Sequence, residues 1–519
     1  MKFDVVILGG GFAGAYCART LARSLGAAAR SRVALVAEEN VLTFQPMLPE
    51  VAGSSLSPLD VVNPLRDFAR GVNVLRGTVR VVDWEKKVVQ LDAGRFTPDH
   101  EIEFDHLVVA LGSVVDFSQV PGMVQHGLPM KTVAHALRLR SAVINRLEEA
   151  NLTADREARR RLLTIVVVGG GYTGVETAGQ LSDFLRDVQP LYENLRGEKA
   201  RVVLVHSRGH LLAEIGETLG DYAQRVLERR GTEVIVNARV IEVGPNEAVL
   251  SNGTMIATHT VISTVGNTTH PVVVDLARQL GLELSKGRVP TEPTMRVPGQ
   301  TKLWAIGDCA AVPLDGGVSP PTAQLALRQG TQLARNLVRA FRGEALRPFA
   351  FRNLGQLATV GQHAAVAEIG GWHFSGFFAW WMWRTIYLAK LPGLSRKLRV
   401  VVDWTLELFF SRDVSLLLPP PEEPLRPVHY RQGEMLLKPG TPARHFIAIQ
   451  RGSVTVANVG SSVELGAGEL LDARYQDATG RWTCSAIASE PTDVLIVRGA
   501  ALELLRYRLP PAAATTTPI

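Results

Sequence analysis

The chain has 519 residues, 46% of them hydrophobic and 20% charged, with a formal net charge of +6. That length exceeds one ordinary domain, and the balance is that of a globular chain able to bury large cores. The mild charge does not demand nucleic acid, and none is expected as a partner; Cys17, Cys309 and Cys484 form no close pair, which argues against a disulfide scaffold or a cysteine zinc site, and no metal is expected.

The opening "MKFDVVILGGG" enters a strand at once, without a charged stretch followed by an apolar one. No signal peptide is expected, and the bulk of the protein is placed in the cytoplasm. Residues 3–8, "FDVVIL", read as a buried strand. Gly9, Gly11 and Gly14 follow in GxGxxG spacing, with Phe12 and Ala13 between them, and "AYCARTLARSL" reads as a helix. In this strand–turn–helix context Gly9 permits the turn, Gly11 lets backbone approach a pyrophosphate, and Gly14 lets helix and strand pack closely. The free N–H groups of the helix start suit phosphate. The next strand, "RVALVAEE", ends at Glu38, a candidate for ribose hydroxyls.

The segment "FDHLVVALGS", residues 104–113, is a strand running into Ala110 and Gly112. The same grammar as at the N-terminus then returns. "LLTIVVV" precedes Gly169, Gly171 and Gly174, with Tyr172 and Thr173 between them, and the helix "VETAGQLSDFL" follows. After the next strand, "ARVVLV", His206 stands where an acid is expected, followed by Ser207 and Arg208. An acid there binds the ribose 2′-OH of NADH, whereas a basic residue accepts a 2′-phosphate. NADPH use therefore stays open. Two dinucleotide sites in one chain imply transfer between two carriers, a tightly bound FAD and a diffusible nicotinamide. "TKLWAIGDCA", residues 301–310, is a further strand, running into Gly307 and Asp308.

With these residues in hand, the chain resembles the two-dinucleotide-binding-domain flavoproteins. The resemblance implies that Asp308 binds the flavin ribityl chain; the plain alternative is a helix cap. Members that pass electrons to a cysteine pair need two thiols within bonding reach, which this sequence does not suggest. "ENVLTFQPMLPEVA" (39–52), "GGGYTGVETAGQL" (169–181), "PPTAQLALRQGTQLARNL" (320–337) and residues 375–413 together resemble type II NADH:quinone dehydrogenases. That resemblance implies a flavin side at Gln45 and Pro46, and a quinone side at Ala323 and Gln324. It places Val81 and Gly266 among the cofactor contacts. Glu176 either orients the nicotinamide or favours the helix dipole, and Glu176 and Gln324 are the candidate catalytic residues. The family's usual acid falls on Ala37, with Glu38 one place late; the resemblance implies NADH as the preferred donor.

Residues 374–391 are rich in aromatics but interrupted by Arg384 and Lys390, so they fall short of a transmembrane helix. Two amphipathic helices are predicted to lie in the inner leaflet. Trp380, Trp381, Trp383 and Trp404 are assigned to the water–lipid boundary. Arg384, Lys390, Arg396, Lys397 and Arg399 are assigned to anionic lipid. The alternative is packing on the body or a homodimer seam.

After the proline-rich "LPPPEEPLRP" (418–427), short alternating runs punctuated by glycine predict an antiparallel β-roll. Its pattern resembles a cyclic-nucleotide-binding-like domain, but Trp482 falls in the place of that family's phosphate-binding arginine and Arg481 is out of register. A module for regulation or contact is expected over a small-molecule site. The last residues are expected to be disordered.

The fold class expected is therefore α/β. It comprises two Rossmann-like dinucleotide-binding domains, C-terminal amphipathic helices and a small all-β roll. The boundaries are 1–115 and 291–371 for the FAD-binding domain, 116–290 for the inserted NAD(P)H-binding domain, 372–417 for the helices, 428–508 for the roll and 509–519 for the tail. The expected activity is a non-proton-pumping NAD(P)H:quinone oxidoreductase, peripheral on the cytoplasmic face of a bacterial inner membrane. The alternatives are a flavoenzyme with a soluble acceptor and a redox-responsive regulator controlled by the C-terminal domain.

Overall fold

The computed structural model describes residues 1–497, except 95, 98–99, 315, 353–354, 417–424, 444, 459–460 and 478–479. Most of the proline-rich linker, the end of the expected roll and the C-terminal tail therefore lie outside the described residues.

The first sheet runs in the order Asn73–Arg76, Val33–Ala37, Lys2–Leu8, His100–Val109, with Leu303–Ala305 also pairing on His100–Val109. These pairings are parallel, with Val5 opposite Val33 and Phe3 opposite Phe104. A meander of Thr78–Asp83 and Val88–Asp92 extends the sheet beyond His100–Val109. The strand Val33–Ala37 is buried at every position, as a parallel strand covered on both faces requires. Helices Phe12–Leu25 and Ala323–Phe341 pack on one another: a Cβ on Gly330 would stand 2.1 Å from the Ala13 carbonyl oxygen, so only glycine permits the contact.

The second sheet orders Gly127–Pro129, Thr260–Ser263, Thr164–Val168, Arg201–Val205 and Thr232–Ile235, all parallel. An antiparallel flap, Val240–Val243, Glu247–Leu250 and Met255–Ala257, is inserted in the chain between Thr232–Ile235 and Thr260–Ser263. Between the two sheets the strands Ser113–Val115 and Asn267–Thr269 run side by side and antiparallel, Val115 opposite Asn267.

A three-stranded sheet, Gln356–Thr359, Ala365–Ile369 and Trp372–Ser375, leads into helices Gly376–Lys390 and Leu394–Leu406. The tail then forms two four-stranded antiparallel sheets around its own core, which includes Ile447, Val456, Trp482 and Val494.

The helices correct part of the lipid assignment. Trp383 is 1% exposed, and Trp380 and Trp404 are buried, whereas Trp381 is 54% exposed. Arg384 is also drawn inside: it pairs with Glu407 at 3.1 Å and stacks on the Trp380 and Trp404 rings. A guanidinium that desolvates this far needs the carboxylate and the ring faces as partners, so it is not free for head groups. The outward side is apolar instead: Phe377, Phe378, Trp381, Leu394, Leu398 and Val402 are exposed there, and Phe409 and Phe410 follow. Among the described residues no helix is long and apolar enough to cross a membrane.

Candidate active site

Both glycine turns have the geometry of a pyrophosphate cradle. A Cβ on Gly9 would lie 2.1 Å from the Ala110 carbonyl oxygen, and one on Gly14 would lie 2.0 Å from the Gly9 carbonyl oxygen. In the second turn a Cβ on Gly174 would lie 1.7 Å from the Gly169 carbonyl oxygen. Gly9 and Gly169 have positive φ angles of 113° and 110°. Gly11 and Gly171 differ in kind: nothing stands within 4 Å of a Cβ built there, so each faces open space at its helix start. Neither helix start carries a side-chain cap, which leaves the backbone N–H groups for an anion. These observations fit the pyrophosphate of a dinucleotide at each turn.

A cleft joins the two halves. Gln45 and Asp308 line it from the first half, Thr173, Thr264 and Asn267 from the second, and Lys131 stands between them. Lys131 Nζ donates to the Ser113 carbonyl oxygen at 2.5 Å, to Ser113 Oγ at 2.7 Å and to Asn267 Oδ1 at 3.1 Å, which ties the two crossing strands together. Burial lowers the Lys131 pKa, and the nearby charge of Asp308 opposes that shift. Burial raises the Asp308 carboxyl, against the pull of Lys131 and Arg288. Asp308 sits in the turn Gly307–Cys309, held where Gln329 Oε1 accepts from the Gly307 N–H at 2.8 Å.

The remaining expected positions distribute as follows. Pro46 lies in the turn Gln45–Met47, and Gln45 Nε2 donates to the Lys131 carbonyl oxygen at 3.4 Å. Phe12 is buried edge-on against Phe44, and Ala13 is buried beneath the first turn. Glu38 is exposed just past the end of Val33–Ala37. Gly112 and Gly266 have positive φ where the chain passes between the halves. Val81 is 45% exposed in the meander and does not line the cleft. Ala323 and Gln324 open the helix Ala323–Phe341, capped by Thr322. His206 Nδ1 accepts from the Gly170 N–H at 3.0 Å, so the ring folds onto the second turn, while Arg208 is exposed beyond it.

Glu176 is buried in the helix Tyr172–Val188, and its Oε1 accepts from the Thr359 N–H at 3.1 Å. Burial pushes its pKa up to about 8, and the charge of Glu50 pushes the same way. Glu50, buried in Leu48–Ala52, is pushed up to about 7, again chiefly by burial. At neutral pH Glu176 therefore holds a proton in an apolar setting. Tyr387 packs on Trp383 with ring centroids 4.5 Å apart and faces Phe44 at 6.1 Å; burial raises its hydroxyl pKa.

Glu50, Lys131, Thr359, Trp383 and Tyr387 were not singled out for roles at this site by the sequence reading. The signal for Glu50 was available as the sole acid in the otherwise apolar "MLPEVA". Lys131 and Thr359 carry no local signal, because both act through partners more than 100 residues away or across the crossing.

Residues 3–330 match the pyridine nucleotide-disulphide oxidoreductase family, and residues 353–413 match the NDH2 C-terminal domain. The type II NADH:quinone oxidoreductase Ndh of Mycobacterium tuberculosis is 32% identical over 79% of this chain and 89% of its own length. The NdhA enzyme of the same organism is 31% identical over 78% and 86%. The NDH2 structure from Plasmodium falciparum in complex with NADH superposes with a TM-score of 0.73 at 18% identity, covering 80% of this chain and 99% of that one, which is a likeness of fold. The chain belongs to the pyridine nucleotide-disulphide oxidoreductase family and, within it, to the type II NADH:quinone oxidoreductases.

Proposed function

We propose that the protein catalyses NADH + H⁺ + quinone → NAD⁺ + quinol at a membrane surface, with FAD as the resident carrier and no proton translocation coupled to the reaction. The observation that carries this reading is the shared cleft, in which Thr173 of the second turn and Asp308 and Gln45 of the flavin side face the same space. FAD, when bound, would supply two-electron carrier chemistry between the nicotinamide and the quinone. The chain's own residues position the partners, exclude water and hold a proton. Gly11 and Gly171 admit the two pyrophosphates, and Asp308 takes the ribityl chain. Gln45, Ala323 and Gln324 form the quinone side. Glu176, protonated at neutral pH, supplies a proton to the reduced quinone, and Glu50 stands behind it as a second buried acid.

The exposed apolar face of the two C-terminal helices inserts into lipid, which brings the enzyme to its dissolved acceptor. Lys390, Arg396, Lys397 and Arg399 remain at the edge of that face for anionic head groups of the inner leaflet, on the cytoplasmic side of a bacterial membrane. The tail serves contact rather than cyclic-nucleotide binding. Trp482 is a 2%-exposed core residue there, and the Arg481 guanidinium donates to the Gly440 carbonyl oxygen at 2.5 Å.

The test is anaerobic addition of NADH to the purified flavoenzyme in mild detergent, then of a short-chain quinone, following flavin absorbance. Bleaching followed by recovery is expected. Bleaching without recovery points to a soluble acceptor, and failure of NADH to bleach bound flavin sinks the reading.

A further inference from the structure

The tail does not hang free. Its first strand, Leu425–Tyr430, lies against the short helix Met123–His126, which follows the first crossing between the two domains. The His429 N–H donates to His126 Nε2 at 3.1 Å. The His429 ring stands between two carboxylates, with Nδ1 2.7 Å from Asp493 and Nε2 3.5 Å from Glu242. Asp493 also accepts from Gln125 Nε2 at 3.2 Å. One buried tail histidine therefore links the segment after the first crossing to the antiparallel flap.

A second anchor is electrostatic. Arg431 pairs with Glu247 of the flap, and Glu434 Oε1 accepts from Asn246 Nδ2 at 3.2 Å. The packing is close as well: a Cβ on Gly122 would meet the Val243 carbonyl oxygen at 1.8 Å and the His429 ring at 3.0 Å. All these anchors lie within residues 122–247, on the nicotinamide side of the crossing. The flap they hold sits between strands Thr232–Ile235 and Thr260–Ser263, just ahead of the second crossing strand Asn267–Thr269.

The crossing itself is a two-stranded ribbon of three residue pairs, which is compliant on its own. Hydride transfer needs donor and acceptor atoms held within about 3–3.5 Å. We propose that the C-terminal β-roll is a positioning clamp: by fastening the segment that follows the first interdomain strand to the flap that precedes the second, it holds the nicotinamide domain in register with the flavin domain for the hydride step. The inference rests on the reading that the second domain delivers a hydride to FAD.

The test uses the full-length holoenzyme and two half-reactions, flavin bleaching by NADH and reoxidation of chemically reduced flavin by a short-chain quinone. R431E puts like charge against Glu247, R431E/D493K also takes away the carboxylate that His429 and Gln125 bond, and R431E/E247R swaps the pair. Undocking is read by amide hydrogen exchange at residues 122–126. The undocked forms are expected to bleach about tenfold more slowly at saturating NADH, within the loss of about 100-fold that a misplacement of about 1 Å brings. Quinone reoxidation stays unchanged, and the charge swap restores bleaching. Wild-type bleaching rates in undocked forms, equal loss in both half-reactions, no rescue by the swap, or unchanged exchange in every variant overturns the clamp alone. Wild-type enzyme that NADH does not bleach overturns the hydride reading and the clamp with it.

Discussion

Glu176 accepts a hydrogen bond at 3.1 Å from the backbone N–H of Thr359, so a carboxyl from the second glycine-turn helix is fixed by a strand about 180 residues downstream. That bond holds the group where burial raises its pKa to about 8 from an ordinary value of 4.5. Below about pH 8 the site holds its proton, and above it the proton is lost. Quinone reduction by the wild type is therefore expected to fall as pH rises through about 8. Glu176→Gln, which keeps the shape without the acid, should lower the rate about 100-fold and flatten that limb. A steep alkaline limb retained in the variant assigns the titration elsewhere.

The same group makes a prediction for stability. Its folded pKa lies above its unfolded value, so the unfolded chain holds fewer protons between about 4.5 and 8. Its contribution is fully present below pH 4.5 and is lost as pH rises through about 8. Glu176→Gln should become more stable relative to wild type across that window, as read by thermal melts at pH 5 and pH 9.

The two glycines of the second turn should respond differently. Gly174→Ala drives a methyl group to 1.7 Å from a backbone oxygen and should destabilise the domain by about 1–3 kcal/mol or more. Gly171 has φ −79° and open space ahead of it, so Gly171→Ala should melt with the wild type. Its KM for NADH should nevertheless rise about tenfold, the equivalent of about 1.4 kcal/mol of lost phosphate contact. Equal melting temperatures and equal KM values would remove the pyrophosphate from that position.

Arg412 is a buried cation with several partners. It donates to the Gly53 carbonyl oxygen at 2.9 Å and the Gln180 carbonyl oxygen at 3.1 Å, and pairs with Glu407 at 3.0 Å. Arg412→Met leaves the Gly53 and Gln180 carbonyls and one Glu407 oxygen without their buried donor and should cost about 3–5 kcal/mol in a denaturant titration. A loss below about 1 kcal/mol would place the pair in water.

The outer helix face predicts lipid binding. Replacing Leu398, Val402, Phe409 and Phe410 by Glu should abolish flotation with anionic vesicles, because each loses an apolar side chain whose full burial contributes about 1.5–3 kcal/mol. Activity with a water-soluble quinone should persist. Flotation unchanged together with a dimer turned monomer would make this face a protein seam.

Donor choice tests the folded-back His206. NADH should be preferred, and Arg208→Ser should lower whatever NADPH rate exists without touching the NADH rate. A wild-type NADPH rate above the NADH rate would assign Arg208 to a 2′-phosphate.

The glycine turns, their strand–helix setting and the GD turn at Gly307–Asp308 were legible from the sequence alone. Their chemistry is local: a tight turn and a backbone approach to phosphate are encoded in contiguous residues. The aromatic and charged composition of residues 372–417 likewise led to an expectation of two helices, and Gly376–Lys390 and Leu394–Leu406 lie there. Which face each helix buries was not local. Trp380, Trp383, Trp404 and Arg384 went inward because Glu407 and the ring faces were there to receive the guanidinium, and only packing brings those groups together. The raised acids Glu50 and Glu176, the Lys131 bridge between Ser113 and Asn267, and the docking of the tail on His126 were decided by tertiary structure for the same reason. Each depends on burial and on a partner distant in the chain, and desolvation is a property of the folded interior that no short stretch of sequence carries.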